Sequence, residues 1–417
     1  MKQHLLTAIL AASAAATPLA QAPAAPAVPV SGDNGDMGGI FGMGFGTSSA
    51  SSSTSGLGSL LSGISSFFGP AKGSTPPKAS GLPAAAAPPK PASTPAAAAS
   101  SGITAMLGGL LNNLDISSLV PTGPEYPKGK PSLQDFYDPG SGPYPAHFFT
   151  VPGLTRHTVY APIKPPPPSL KMPVFIWGNG GCTSSGTPYA MFLTEVASYG
   201  YLVIANGPPG GAPPTLDIPR GAGAGGLPGP DGKPKYTMAD AAAGGMSTIK
   251  DMNDAIAWVV NGNAKEYGNV STTDFATGGS SCGGLEAYST AYHNDRVKLI
   301  GVYNSGVIMP NKRALLQELK AGVALFPGGP KDMGYENSNA DYAALPKNIP
   351  AFYASLDSGH LGTFFAKRGG KYGRATVQLF EWYFRGDAKA RAAWTDPAAP
   401  GGLIAEHWQN VTHRNFN

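Results

Sequence analysis

The chain has 417 residues, more than one small domain requires, and only 13% of them are charged. Lys and Arg number 29 against 25 Asp and Glu, which gives a formal net charge of +4. Because no basic cluster could follow a phosphate backbone, the composition argues against a nucleic-acid partner. The 57 Gly and 42 Pro are unevenly spread, so the chain divides into regions of different character.

Residues 1–22 have the pattern of a signal peptide. Lys2 precedes an apolar Ala/Leu run, and the small residues Ala20 and Ala22 resemble a cleavage site, although Pro23 leaves the exact position open. We therefore expect a secreted or periplasmic protein. Gly, Pro and charges interrupt every later apolar stretch before about eighteen residues, so the sequence predicts no transmembrane segment.

Residues 23–125 consist of Ala/Pro and Gly/Ser tracts. Such a segment buries too little apolar surface to offset its chain entropy, which predicts a disordered arm. Two leucine-containing islands begin at Leu57 and Ile103. They are either amphipathic turns that dock or transient helices without a partner. The arm is a candidate contact to the cell envelope or matrix.

Residues 126–417 are typical of one compact domain. Most of the strand-like runs are continuously apolar, as expected of parallel strands that are covered on both faces. These runs are VFIWG (174–178), YLVIA (201–205), FATGG (275–279), VKLIGVY (297–303), VALF (323–326) and IPAFYASL (349–356). Two earlier segments, which begin at His147 and His157, favour an antiparallel opening pair.

Helical patterns separate these strands. One is predicted to begin with Thr187 as N-cap and Pro188 as first helical residue, a second to span 247–260, and a third 375–384. Alternating strands and helices predict an α/β fold with a mostly parallel, doubly wound sheet and flanking helices. In such sheets, functional groups gather at the carboxyl ends of the strands.

The segment 279–283 fits G-x-S-x-G and lies between a predicted strand and a predicted helix. Glycines two positions before and after Ser281 suit a turn too tight for a Cβ, so this serine is the candidate nucleophile. In a glycine-rich chain the same residues could simply be small residues in a turn. The residues that follow in the chain decide between these alternatives.

Asp332 follows the strand VALF, and His360 follows the strand IPAFYASL. The chain order Ser, Asp, His and the strand-end positions predict a triad in which His360 is the general base and Asp332 orients it. Asp357 and Asp341 are alternative acids, and Asp332 is favoured over them because the turn after VALF places it at the carboxyl end of that strand. His360 on its own could also be a histidine that caps a helix.

Acyl transfer also needs two N–H donors for a tetrahedral oxyanion. The residue after the nucleophile, Cys282, is one candidate, and Cys182 or Gly181 in the loop after VFIWG is the other. Donors that converge on one oxygen would bring the two cysteines together. An exported protein with only these two cysteines is therefore expected to form the disulfide Cys182–Cys282, the alternative being two buried free thiols.

Several residues after the early strands are candidate walls of a substrate pocket. They are Trp177, Asn206, Pro208, Pro209 and the segment 220–235. Ordinary packing is the alternative for each of them.

The segments WGNGGC, GGSSCGGLEAY, GGPKDMGY and SGHLGTFFAKRGG resemble secreted α/β hydrolases of bacteria and fungi, relatives of the cutinase-like and dienelactone-hydrolase-like enzymes. The resemblance spans about residues 137–387. It implies the α/β-hydrolase fold, esterase-type hydrolysis by Ser281, Asp332 and His360, and no metal or organic cofactor. GNGGC departs from the HGGG type of oxyanion loop, which leaves the substrate open.

The sequence thus predicts a carboxylic-ester hydrolase that acts on a small-molecule or polymer ester. One alternative is a non-catalytic surface- or matrix-binding protein on a hydrolase scaffold. Another is an amide or peptide hydrolase or an acyltransferase, because these enzymes use the same triad.

Overall fold

The computed structural model of the chain describes Phe41 and residues 121–210, 227–228, 234–236 and 246–416. The predicted signal peptide, residues 1–22, lies outside this part of the chain. So does the predicted arm, residues 23–125, apart from Phe41 and 121–125.

Eleven strands lie in the described ranges, nine of them in one sheet and two in a separate short pair. In chain order they are β1 (Ala146–Phe149), β2 (His157–Pro162), β3 (Met172–Gly178), β4 (Leu202–Asn206), β5 (Leu227–Pro228), β6 (Pro234–Tyr236), β7 (Val270–Ser280), β8 (Val297–Tyr303), β9 (Gly322–Phe326), β10 (Ala351–Ser355) and β11 (Gln409–Arg414). Strands β5 and β6 form the separate pair.

Seven α-helices accompany these strands within the same ranges. They are α1 (Leu133–Phe136), α2 (Ala190–Ser198), α3 (Ile249–Val260), α4 (Cys282–Ala291), α5 (Tyr335–Ala344), α6 (Gly370–Arg385) and α7 (Ala388–Thr395). Short 3₁₀ helices occur at Gly180–Cys182, Lys265–Tyr267, Pro310–Glu318 and Lys367–Gly369. No helix of the described chain has both the length and the apolar character that a membrane crossing requires.

The large sheet has the strand order β1-β2-β4-β3-β7-β8-β9-β10-β11. The six strands from β4 to β10 in this order are mutually parallel. At one edge β1 and β2 are antiparallel, as their sequences predict, and at the other edge β11 is antiparallel to β10. The protein therefore has a mixed α/β fold with a mostly parallel sheet.

Both faces of the sheet are covered, which explains the continuously apolar strands. Along β3, Phe175 and Trp177 face a largely aromatic core that includes residues of α2 and α6. Val174 and Ile176 face a second, more aliphatic core that includes residues of α3 and α4. Burial of each such side chain contributes about 1.5–3 kcal/mol to stability, so residues on both faces of β3 hold the strand in register.

The start of α2 differs from the prediction. The helix begins at Ala190 after Tyr189 as N-cap, not at Pro188 after Thr187. The Thr187 hydroxyl instead donates to the Gly210 carbonyl at 2.7 Å, and its N–H bonds to the same oxygen. A side chain used to hold a neighbouring loop cannot also cap a helix.

Two parts of the predicted arm contact the domain. Phe41 is buried, its ring centroid lies 5.4 Å from that of Tyr288 on α4, and its N–H donates to the Ser289 hydroxyl. The Glu125 N–H donates to the Asp357 carbonyl at 2.9 Å. At these two points the chain before residue 126 packs against the sheet domain.

Candidate active site

Ser281 occupies a sharp turn between β7 and α4. Its backbone has φ +53° and ψ −119°, a left-handed conformation that a non-glycine residue rarely adopts. The strained turn is fixed by two bonds: the Ser281 N–H donates to the Tyr303 carbonyl at 3.0 Å, and the Ser305 hydroxyl donates to the Ser281 carbonyl at 2.6 Å. Strain held in this way is typical of a functional residue.

The two glycines that flank Ser281 permit a close approach between backbones. A Cβ at Gly283 would overlap the Gly178 carbonyl group and lie 2.8 Å from the Asn179 nitrogen. A Cβ at Gly279 would lie 2.7 Å from the Gly178 oxygen. The first turn of α4 therefore packs directly against the end of β3, and both glycines have the steric role that the sequence motif predicts.

The structure brings Ser281, His360 and Asp332 together. The His360 Nε2 atom lies 3.0 Å from the Ser281 Oγ, and the His360 Nδ1 atom lies 2.6 Å from the Asp332 Oδ1. A carboxylate at Nδ1 accepts the proton there, which leaves Nε2 free to accept from the serine hydroxyl. The arrangement can transfer a proton from the serine to the imidazole.

The chain order alone suggests three neighbouring strand ends, and the structure corrects this expectation. Ser281 follows β7, Asp332 follows β9 and His360 follows β10, so the three strand ends are not all adjacent. Strand β8 lies between β7 and β9, and its end brings Asn304 into the cluster.

Asp332 is buried at a point where several donors surround its carboxylate. Oδ2 accepts from the Gly328 N–H at 2.8 Å and from the Asn304 amide at 3.2 Å, and Oδ1 accepts from the Gly334 N–H at 2.8 Å. Burial by itself raises the pKa of Asp332, but the bond and charge of His360, with the two backbone donors, outweigh burial and hold this pKa below its usual value. Asp332 is therefore an ionised partner for the imidazole.

Asn304 is a site residue that the sequence interpretation missed. The Asn304 Nδ2 atom donates to the Asp332 carboxylate, and it lies 3.0 Å from the Gly359 carbonyl and 3.2 Å from the Tyr372 hydroxyl. It thus links the aspartate loop to the histidine loop. Its position directly after a predicted strand, at the same sheet edge as the triad, was the available signal.

The alternative acids lie elsewhere. Asp341 is buried and pairs with Arg313 at 2.9 Å, while its other oxygen accepts from the Val307 N–H. The Asp357 Oδ1 atom has no hydrogen-bond partner among the described residues. Of the described histidines, only His360 contacts Ser281 or Asp332.

The loop after β3 contains the predicted second oxyanion donor, and here the structure revises the candidates. The Cys182 N–H already donates to the Asn179 carbonyl at 3.1 Å, so Cys182 is not an open donor. Across the described residues, no acceptor is bonded to the Gly181 N–H or to the Cys282 N–H. Gly181 has φ +65°, a left-handed backbone conformation that glycine adopts at little cost. The open amides are therefore those of Gly181 and Cys282.

The predicted disulfide is present. Cys182 and Cys282 are bonded, with their Cα atoms 5.2 Å apart, and they account for both cysteines of the chain. The bond joins the loop after β3 to the first residue of α4. It thus connects the two segments that carry the open amides.

Asn179 supports the same loop from inside. It is wholly buried, and its Nδ2 atom lies 2.8–2.9 Å from the carbonyl oxygens of Thr183, Ser185 and Asn206. These contacts fold the loop around one side chain. Asn179 is a second supporting residue that the sequence interpretation did not identify.

Three of the predicted pocket walls, Trp177, Asn206 and Pro209, are buried and do not lie at a surface. Trp177 is wholly buried, and its ring centroid lies 5.1–5.8 Å from those of its aromatic neighbours, so it belongs to the core. Asn206 is also wholly buried, and its carbonyl accepts from Asn179. Pro208 is half-buried, and its role as a wall stays a prediction. Most of the segment 220–235 lies outside the described residues.

No protein-family model and no curated protein matches the chain.

Proposed function

We propose that the protein is an extracytoplasmic serine hydrolase of the α/β-hydrolase fold that cleaves carboxylic esters. The observation that carries this proposal is the hydrogen-bonded series from Ser281 Oγ through His360 to Asp332. It is supported by the serine on a strained turn between a strand and a helix, and by the chain order Ser, Asp, His, both features of that fold.

The geometry supports a two-step mechanism. The Ser281 oxygen attacks the ester carbonyl carbon while its proton passes to His360 Nε2, and the Asp332 carboxylate stabilises the imidazolium that forms. The carbonyl oxygen becomes an oxyanion, which the amides of Cys282 and Gly181 are available to bind. When the intermediate collapses, the alcohol leaves with the proton of His360 and the acyl group stays on Ser281.

Water completes the cycle. His360 takes a proton from the water molecule, whose oxygen attacks the acyl carbon and forms a second oxyanion at the same amides. Breakdown of this intermediate returns the proton to Ser281 and releases the acid. The Asp332 carboxylate holds the Nδ1 proton of His360 throughout, so Nε2 is the nitrogen that gains and loses the transferred proton.

Location outside the cytoplasm is supported by the disulfide, since such bonds persist in oxidising compartments. The predicted signal peptide is consistent with it but lies outside the described residues. The choice of ester over amide or acyl-transfer substrates follows from the sequence resemblance, and competition between ester and amide substrates tests it.

Turnover of a short-chain nitrophenyl ester by the purified protein tests the proposal. Ser281→Ala and His360→Ala should each lower the rate by roughly 10³-fold or more, because the triad acts as a unit. His293→Ala is the matched control, since the exposed His293 pairs with Glu318 and stacks on Tyr292, away from Ser281, and its loss should leave turnover unchanged. A fluorophosphonate probe should label Ser281.

Full turnover in the Ser281→Ala variant would refute the assignment of the nucleophile. A wild-type protein that neither hydrolyses the ester nor reacts with the probe would instead favour a non-catalytic binding protein on the same scaffold.

A further inference from the structure

Glu286 is a buried acid that the proposed mechanism does not use. It lies on α4, one turn after Cys282, and its side chain is wholly buried. The Ser247 hydroxyl donates to Oε1 at 2.9 Å, and the Asn206 amide approaches Oε2 at 3.4 Å. Within the described part of the chain no Lys, Arg or His forms an ion pair with it. Burial of a carboxyl group without a cation disfavours its ionised form and costs free energy that only hydrogen bonds can offset.

The surroundings of Glu286 favour its neutral form. Burial is the main cause that raises its pKa to about 8, and the Asp251 carboxylate of α3 adds to it, whereas the bonds from Ser247 and Asn206 oppose it. Asp251 is itself paired with Arg156, and its carbonyl oxygen lies 2.8 Å from the ring of His157. Asp251, on α3, is the one charged group among the causes of this shift.

Both hydrogen-bond partners of Glu286, Ser247 and Asn206, also form hydrogen bonds with the loop after β3. The Ser247 N–H donates to the Cys182 carbonyl at 2.7 Å, and the Asn206 carbonyl accepts from the Asn179 side chain at 2.8 Å. The carboxyl group also lies directly under the loop, since a Cβ at Gly178 would come within 2.8 Å of Oε2. Glu286 thus contacts, through one residue on each side, both ends of the segment 179–182.

We propose that Glu286 is a positioning residue that holds the loop 178–183, through Ser247 and Asn206, in the conformation that presents the Gly181 amide. The disulfide fixes the same loop covalently at Cys182, whereas Glu286 fixes the backbone around it. The catalytic consequence rests on the proposed function, because an oxyanion donor matters only for acyl transfer. The structural consequence, an ordered loop, does not depend on it.

The experiment compares Glu286→Gln and Glu286→Ala with Thr290→Val as a matched control. Thr290 is buried on the same helix and bonds to Met252 on α3, so its loss perturbs α4 without touching the loop. We expect Glu286→Ala to lower kcat for the nitrophenyl ester about 10- to 100-fold with little change in KM, since oxyanion contacts act in the transition state. Thr290→Val should keep the wild-type kcat.

The pH profile separates positioning from mere packing. Wild-type kcat should fall above about pH 8, as Glu286 ionises beneath the loop. Glu286→Gln keeps the size and a neutral hydrogen-bonding group, so it should lose this decline while keeping most of the activity at pH 7. An unchanged alkaline decline in Glu286→Gln would overturn the proposal, and this variant carries the test if Glu286→Ala does not fold.

Hydrogen exchange of the peptide that covers 178–184 gives a readout without activity. Exchange should rise in Glu286→Ala relative to wild type and stay unchanged in Thr290→Val. Equal exchange in all three proteins would refute the positioning role even if the enzyme is active. If the wild-type protein has no esterase activity but exchange still rises in Glu286→Ala, the positioning role stands and the esterase proposal is rejected.

Discussion

The disulfide offers the sharpest prediction about stability. It joins residues 100 positions apart, so it removes much conformational freedom from the unfolded chain. The loop-closure model gives roughly 4–5 kcal/mol for a loop of this length. Replacement of both Cys182 and Cys282 by Ser should lower the free energy of unfolding by up to this amount, because the native contacts around the pair are otherwise preserved.

The assay is thermal unfolding of the wild type and the double variant, each with and without a reductant. For a domain of this size, 1 kcal/mol corresponds to roughly 2–4 °C in Tm, so we expect a decrease of about 10–15 °C. The reductant should lower the Tm of the wild type and leave that of the double variant unchanged. A Tm within about 2 °C of the wild type would refute the loop-entropy reasoning.

Two further predictions concern α4. Gly283→Ala should lower kcat/KM by at least about 100-fold and destabilise the fold by about 1–3 kcal/mol, since its Cβ would overlap the Gly178 carbonyl group; ester turnover and urea unfolding measure both, and full activity would contradict the close approach. Glu286→Gln should flatten the pH dependence of stability. The folded-state pKa of Glu286 lies at about 8, above the unfolded value near 4.5. Its contribution to stability is therefore complete below pH 4.5 and is lost as the pH rises toward 8, at up to about 1.4 kcal/mol per pH unit. Urea unfolding from pH 5 to 9 tests this, and equal slopes in both proteins would contradict it.

The central strands were predictable because they are buried on both faces. A run such as VFIWG has no polar alternation, and the structure extends it only to Met172–Gly178. The polar edge strand β11 and the weakly amphipathic helix α5 were missed. Their local sequences carry no clear period, and they form because the neighbouring sheet and loops hold them in place.

The helix ends show a similar limit. The helix predicted over 375–384 ends within one residue of the observed C-terminus of α6 at Arg385, although α6 begins earlier, at Gly370. Gly386, which follows, has the left-handed conformation that ends many helices. The start of α2 was predicted wrongly, because the Thr187 hydroxyl, which could cap a helix, donates to the Gly210 carbonyl instead. Capping can be predicted from residue type only when no tertiary acceptor competes for the hydroxyl.

Ser281, Asp332 and His360 could be located because each lies within a few residues of the end of a strand that the sequence identifies. Chain order and strand-end position then suffice, without distances. The supporting residues could not be located this way. Asn304 lies beside Asp332 only because β8 is placed between β7 and β9 in the sheet. The hydrogen bond from the Cys182 N–H to the Asn179 carbonyl depends on how one short loop folds.

Glu286 shows why such support becomes visible only after the topology is known. In the sequence it is one acidic residue in GLEAYSTA, which would suit the exposed side of any helix. Every residue of α4 from Gly283 to Ala291 is buried, however, because the helix is enclosed by neighbouring strands and by α3. An acid in that position conflicts with its environment, and such conflicts concentrate at functional sites. Ser247 and Asn206, the hydrogen-bond partners of Glu286, both contact the loop after β3, and this connection is what makes Glu286 a candidate support of that loop.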